Sequence, residues 1–171
     1  NTLFTSIKST TTDNLSDYGY KTSEVGFSVG TSFEQYENLY FRPDISVSYE
    51  DLKTSSTASD NYKKQAGDFF DTYFIYSLDY DKTNQKYRPS EGYRTIFLQE
   101  LPIISDGFEI VNSLETIKYY ELPSDMIGKI SFYGKSVNTL KDNKDTRISK
   151  RLYIPQSRLR GFESGKVGPI E

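Results

Sequence analysis

Apolar and polar residues alternate along most of this chain, and helical periodicity is scarce. Residues 39–51 show the pattern well. Leu39, Phe41, Ile45, Val47 and Tyr49 share one parity, while Tyr40, Arg42, Asp44, Ser46, Ser48 and Glu50 share the other. Successive strand side chains point to opposite faces, so this split predicts one apolar and one polar face. Pro43 falls on the apolar parity and suggests a strand start or a bulge there. Residues 24–33 repeat the split, with Val25, Phe27, Val29, Thr31 and Phe33 opposite Glu24, Gly26, Ser28, Gly30 and Ser32. Residues 68–81, 108–122 and 127–137 follow suit. Residues 93–101 are ambiguous because both parities carry apolar side chains, and 2–8 is a short candidate. Seven strands are therefore predicted.

Polar connectors separate them at 9–17, 34–38, 53–67, 82–92, 103–107 and 123–126. A polar tail follows from 138. The stretches 53–65 and 138–150 read as solvated loops. Several strands approach or exceed the length of about 9 to 11 residues that a tilted strand needs to cross a bilayer. Short and long connectors tend to alternate, as in outer-membrane barrels, although 82–92 is long and 103–107 short for that rule. Tyr18, Tyr20, Tyr36, Tyr40, Tyr80, Tyr87, Tyr119 and Tyr120 lie near segment ends, where an interfacial aromatic girdle would sit. Alternation itself fits two architectures. In a soluble β-sandwich the apolar parity faces a shared core; in a barrel wall it faces lipid.

Composition narrows the chemistry. The 171 residues include no Cys, His or Trp. Thiolate nucleophiles, Cys/His zinc sites and Ser-His-Asp triads are thus excluded. A mean hydropathy of -0.65 looks soluble, but an amphipathic strand averages to a polar score. With 15 Tyr and 11 Phe the chain is too aromatic for wholesale disorder. The net charge of -3 does not point to nucleic acid. Carboxylates such as Asp68, Asp71, Asp79, Glu109 and Glu115 are plentiful, yet no spacing fixes a hydrolytic pair. No cofactor or metal is expected. The start at Asn1 and the stop at Glu171 suggest an internal piece of a longer protein.

The tail reads Arg158-Leu159-Arg160-Gly161-Phe162-Glu163-Ser164-Gly165-Lys166-Val167-Gly168-Pro169. It resembles the Arg-Gly-Phe loop, with its following Gly-Pro, of the BamA-like outer-membrane assembly family. Tyr87-Arg88-Pro89-Ser90-Glu91-Gly92-Tyr93-Arg94 resembles that family's Pro-x-x-Gly periplasmic turn, and Asp17-Tyr18 through Gly30 its entry into a mid-barrel strand. The resemblance covers essentially the whole chain.

It implies an all-β, antiparallel, up-and-down transmembrane barrel, of which these would be seven strands, about the fifth to the eleventh of roughly sixteen. Residues 1–171 would be the central part of a C-terminal barrel domain, with POTRA repeats before it and the last strands after it. Arg160, Gly161 and Phe162, with Gly168 and Pro169 behind them, would form the lumen-loop motif. Arg160 would meet acidic residues beyond Glu171. Pro89 and Gly92 would form the periplasmic turn. A planar guanidinium suits a confined carboxylate, Gly161 lets the backbone turn, and Phe162 offers an apolar anchor.

The implied function is non-enzymatic: folding and inserting β-barrel proteins into the bacterial outer membrane. The implied partners are the lipid bilayer, unfolded barrel clients and assembly lipoproteins. A secretion pore or a TamA-like translocation factor is the alternative within the superfamily. A soluble extracellular β-sandwich that binds glycans through its Tyr-rich faces is the alternative outside it.

Overall fold

A computed structural model describes residues 1–16, 19–141 and 145–152. Seven strands follow one another: β1 (Thr2–Asn14), β2 (Tyr20–Tyr36), β3 (Leu39–Thr54), β4 (Gly67–Asp81), β5 (Gly92–Ile104), β6 (Glu109–Leu122) and β7 (Met126–Thr139). They form one sheet in sequence order, each antiparallel to the next. A short helix, α1 (Asp60–Lys63), lies between β3 and β4, and a 3-10 turn, Ile148–Lys150, follows β7. Every alternating segment is thus a strand. Strands of 13 to 17 residues outrun the span of about 9 to 11 that a bilayer core requires.

The ladders extend two strands past their sequence-based limits. β1 runs on to Asn14, through Ser9-Thr10-Thr11-Thr12-Asp13, and β2 begins at Tyr20. Neither stretch carries apolar markers, but pairing such as Thr12↔Thr22 holds both extended. Pro43 is neither a strand start nor a bulge. It lies inside β3 and faces Tyr76 of β4, and the β2–β3 register is the same on both sides of it. That ladder bulges instead between Glu34 and Tyr36, beside the tight turn. The β4–β5 ladder shifts at Thr72/Tyr73, where Ile103 is the extra residue beside Pro102, which has no N–H to donate.

The two faces decide between the two architectures. The apolar parity is bare: Ile7 is 82% exposed, Phe70 52% and Phe132 61%. The polar parity is the covered one, and Asp71 and Glu109 are each only 1% exposed. A soluble sandwich requires the opposite, so the sandwich and its glycan-binding role are set aside. No helix among the described residues is long and apolar enough to cross a membrane; crossing by strands is a separate matter.

On the apolar face, rings cross four neighbouring strands. Phe33 meets Phe41 at 5.7 Å between centroids, Phe41 meets Tyr76 at 6.1 Å, and Tyr76 meets Phe97 at 6.2 Å. This row runs toward the end with the 37–38, 82–91 and 123–125 turns. Aromatic rows of this kind occur at bilayer interfaces. The tyrosines picked from the sequence fit this row only in part. Tyr80 makes a separate pair with Tyr93 at 5.8 Å, closer to the 82–91 turn. Tyr20 is buried on the polar face, and Tyr18 lies outside the described residues.

Candidate functional site: a buried arginine on the polar face

The only fully buried apolar cluster among the described residues lies on the polar face, at the other end of the sheet. Tyr20, Leu52 and Ile148 form it, with Tyr62 of α1 and Phe69 packed against them. Tyr20 and Tyr62 meet edge to face at 6.2 Å. Ser59 caps α1 by accepting from the Tyr62 N–H, and the Ser55 N–H donates to the Gly19 carbonyl at 2.8 Å. The 55–66 connector is therefore partly ordered and contributes to the core, rather than being wholly solvated.

The segment after β7 also departs from its solvated reading. Residues 145–152 return to the sheet, and Arg147 and Ile148 are buried. Arg147 Nη1 donates to Glu50 Oε2 at 2.9 Å and to Asp71 Oδ2 at 2.8 Å, and Nη2 donates to Asp71 Oδ1 at 3.2 Å. Its guanidinium carbon stands 3.9 Å from the centre of the Phe69 ring. A third carboxylate, Glu109, accepts from the Arg147 backbone N–H at 3.5 Å and from the Tyr73 hydroxyl at 3.3 Å. Ser149 adds a 2.9 Å bond to Glu50, and the Ile148 N–H donates to Gln65 Oε1 at 2.9 Å.

Strand geometry delivers these groups. Glu50 is near the end of β3, Asp71 and Tyr73 near the start of β4, and Glu109 begins β6, so all lie at one end of the sheet. Asp71 pairs with Ser48 and Glu50 with Phe69, which puts both carboxylates on the polar parity beside each other. A Cβ at Gly107 would run into the Glu109 carboxylate, so glycine there leaves Glu109 free to keep its buried place.

Burial pulls the Arg147 pKa down, but the bonds and charge of Asp71, then Glu50 and Glu109, outweigh it. The guanidinium is held above its ordinary value. Breaking such a buried pair by removing one partner is costly, because the other charge stays desolvated. The arrangement can hold a chain segment; it offers no nucleophile or acid/base pair poised on a substrate. Among the described residues no group of acidic side chains is disposed to hold a metal ion.

A family model described as the Omp85 superfamily domain matches residues 2–171. The chain belongs to the Omp85 superfamily. Omp85 barrels lie in the bacterial outer membrane, which accounts for the bare apolar face. Among solved structures, the chain is similar to BamA from Haemophilus ducreyi lacking POTRA domains 1–3, with a TM-score of 0.84 and 18% identity. The match covers 98% of this chain and 35% of that one, so this chain spans about a third of its length. The seven-stranded sheet corresponds to part of the BamA barrel. No curated protein matches by sequence.

Of the residues the sequence singled out, Pro89 lies in the turn between β4 and β5, and Gly92 opens β5 directly after it. Gly92 has φ of 98°, and a Cβ there would strike the Lys82 carbonyl oxygen. Asn84 clamps this Omp85 turn, accepting from the N–H groups of Ser90 at 3.1 Å and Glu91 at 3.3 Å. Arg160, Gly161, Phe162, Gly168 and Pro169 lie outside the described residues. Asp71 and Glu109 join the buried cluster, whereas Asp79 pairs with Arg94 at 2.8 Å along the sheet. Arg147 and Glu50 carried no role in the sequence reading. The available signal was positional: three acidic residues on the wet parity, all close to the same end of their strands.

Proposed function

We propose that this chain is the middle of the barrel of a BamA-type assembly factor, which folds and inserts β-barrel proteins into the outer membrane. The observation that carries the reading is the buried Arg147 cluster on the polar face of a wall whose apolar face is bare. A strand wall needs only lipid outside and water inside. A loop held to the inner surface by a desolvated ion pair instead suits a barrel whose interior is internally braced. The likeness to the BamA barrel supports the same architecture.

In this reading POTRA repeats precede Asn1 and the closing strands follow Glu171. The loop after β7 carries Arg160, Gly161 and Phe162, with Gly168 and Pro169 behind them. Arg160 meets acidic residues on the later strands, and Pro89 and Gly92 form a periplasmic turn. The partners are unfolded barrel clients and assembly lipoproteins. The free edges of the parent barrel's seam would offer unpaired N–H and C=O groups to a client strand.

The full-length parent in lipid vesicles should accelerate the folding of a urea-unfolded client barrel over empty vesicles. A parent that leaves the client rate unchanged but passes a soluble exported protein belongs to the secretion branch, and the assembly reading fails.

A further inference from the structure

We infer that Arg147 is a positioning residue: it latches residues 145–152 onto β3, β4 and β6 and so fixes where the chain lies on the sheet up to residue 152. The inference rests on this chain's own geometry and holds for any branch of the family.

The acidic patch matches the segment that covers it. Glu50 accepts from Arg147 and Ser149, Asp71 accepts twice from Arg147, and Glu109 accepts from the Arg147 backbone. Two further cations of the same segment lie over neighbouring rings: Lys150 Nζ is 5.2 Å from the centre of Tyr73, and the Arg151 guanidinium 5.6 Å from that of Tyr62. Ile148 meanwhile is buried in one cluster with Tyr20 and Leu52. Charge and shape thus act at adjacent positions of one short segment.

With Arg147 seated, two carboxylates share one guanidinium nitrogen. With it withdrawn, Glu50 and Asp71 stand side by side without it, and water must enter to solvate them. Intermediate placements lose the forked geometry without gaining hydration. A lysine at 147 is a poor substitute, because a point charge cannot make the paired bonds to Asp71 while also reaching Glu50. The segment also ties the paired strands β3 and β4 to β6, which pairs with neither of them.

The test uses the full-length parent, with Ile148→Cys as its only cysteine, reacted with a polar maleimide in detergent micelles. Seated, the thiol is hidden. Arg147→Ala should raise its labelling rate by at least about a hundredfold, the lower end of the scale on which losing one partner of a buried ion pair acts. Arg147→Lys should raise it less, and Ser149→Ala little.

Unboiled electrophoretic mobility reports whether each barrel is folded. An unchanged labelling rate in folded Arg147→Ala overturns the inference. So does a Ser149→Ala effect as large as that of Arg147→Ala, which would assign the hold to the segment as a whole. Should Arg147→Ala fail to fold, Asp71→Asn and Glu50→Gln keep size and remove charge. Tryptic cleavage after Lys150 or Arg151 reads the same release without any cysteine. If neither variant is cut faster than the parent, the latch is refuted. None of these readouts involves a client, so their failure and that of the assembly reading are distinguishable.

Discussion

Nη1 of Arg147 donates to both Glu50 and Asp71, at 2.9 and 2.8 Å, and so joins the ends of β3 and β4 through one atom. Asp71 also takes the second nitrogen, whereas Glu109 takes only the backbone N–H. These differences make the cluster separable by mutation. In a double-mutant cycle, Arg147→Met with Asp71→Asn should be strongly non-additive, with a coupling of about 1 to 3 kcal/mol. Arg147→Met with Glu109→Gln should couple more weakly, because Glu109 acts on the guanidinium through charge alone. Urea unfolding of the parent in lipid measures both, and equal couplings would refute this division of roles.

Gly107→Ala should destabilise the site by about 1 to 3 kcal/mol, the usual cost of forcing extra volume into a packed place. The new methyl would meet the Glu109 carboxylate. Glu109→Ala in the same chain should remove most of the added penalty. If the two substitutions simply sum in urea unfolding, the clash is not the cause.

At the opposite end, Gly92→Ala should loosen the β4–β5 turn more than Pro89→Ala. Gly92 combines a left-handed φ with backbone contact from Lys82, and strain of this kind costs about 1 to 3 kcal/mol. Asn84→Ala should have a smaller effect of the same sort, since it removes the bonds to Ser90 and Glu91. Hydrogen exchange at Lys82 and Asn84, whose N–H groups donate across the turn, reads the order directly.

Phe27→Lys on the apolar face should cost about 2 to 4 kcal/mol if it lies near the bilayer midplane, whereas Ser46→Lys on the polar face should be tolerated. Equal costs in lipid vesicles would contradict the assignment of faces.

The chain has no Trp, so Tyr76→Trp places one indole in the ring row. With other tryptophans of the parent replaced, a quencher carried near the lipid headgroups should dim it more than one carried at the acyl-chain ends. The reverse order would move the row away from the interface.

The wall was largely readable from sequence because period-2 alternation leaves a mark wherever apolar residues are present. It failed where they are missing, as in Thr10-Thr11-Thr12, whose strand conformation is set by the β2 partner. It was ambiguous at 93–101 because Ile96 and Leu98 lie on the polar face opposite Asp79 and Ser77, while Phe97 lies on the apolar one. The Arg147 site was not readable at all. Its partners are 97, 76 and 38 positions away, and local pattern carries no information about such pairings. A polar stretch such as 138–150 looks alike whether it is hydrated or folded onto carboxylates.

The meander also sets an order of events. Every strand pairs with its neighbour in the chain, so the sheet can grow hairpin by hairpin, with short loops to close. The Arg147 contacts are different: they need β3, β4 and β6 already in register before a segment that emerges after β7 has anything to grip. Closing the latch is therefore a late step, and a seated Arg147 reports that the wall beneath it has been laid down correctly.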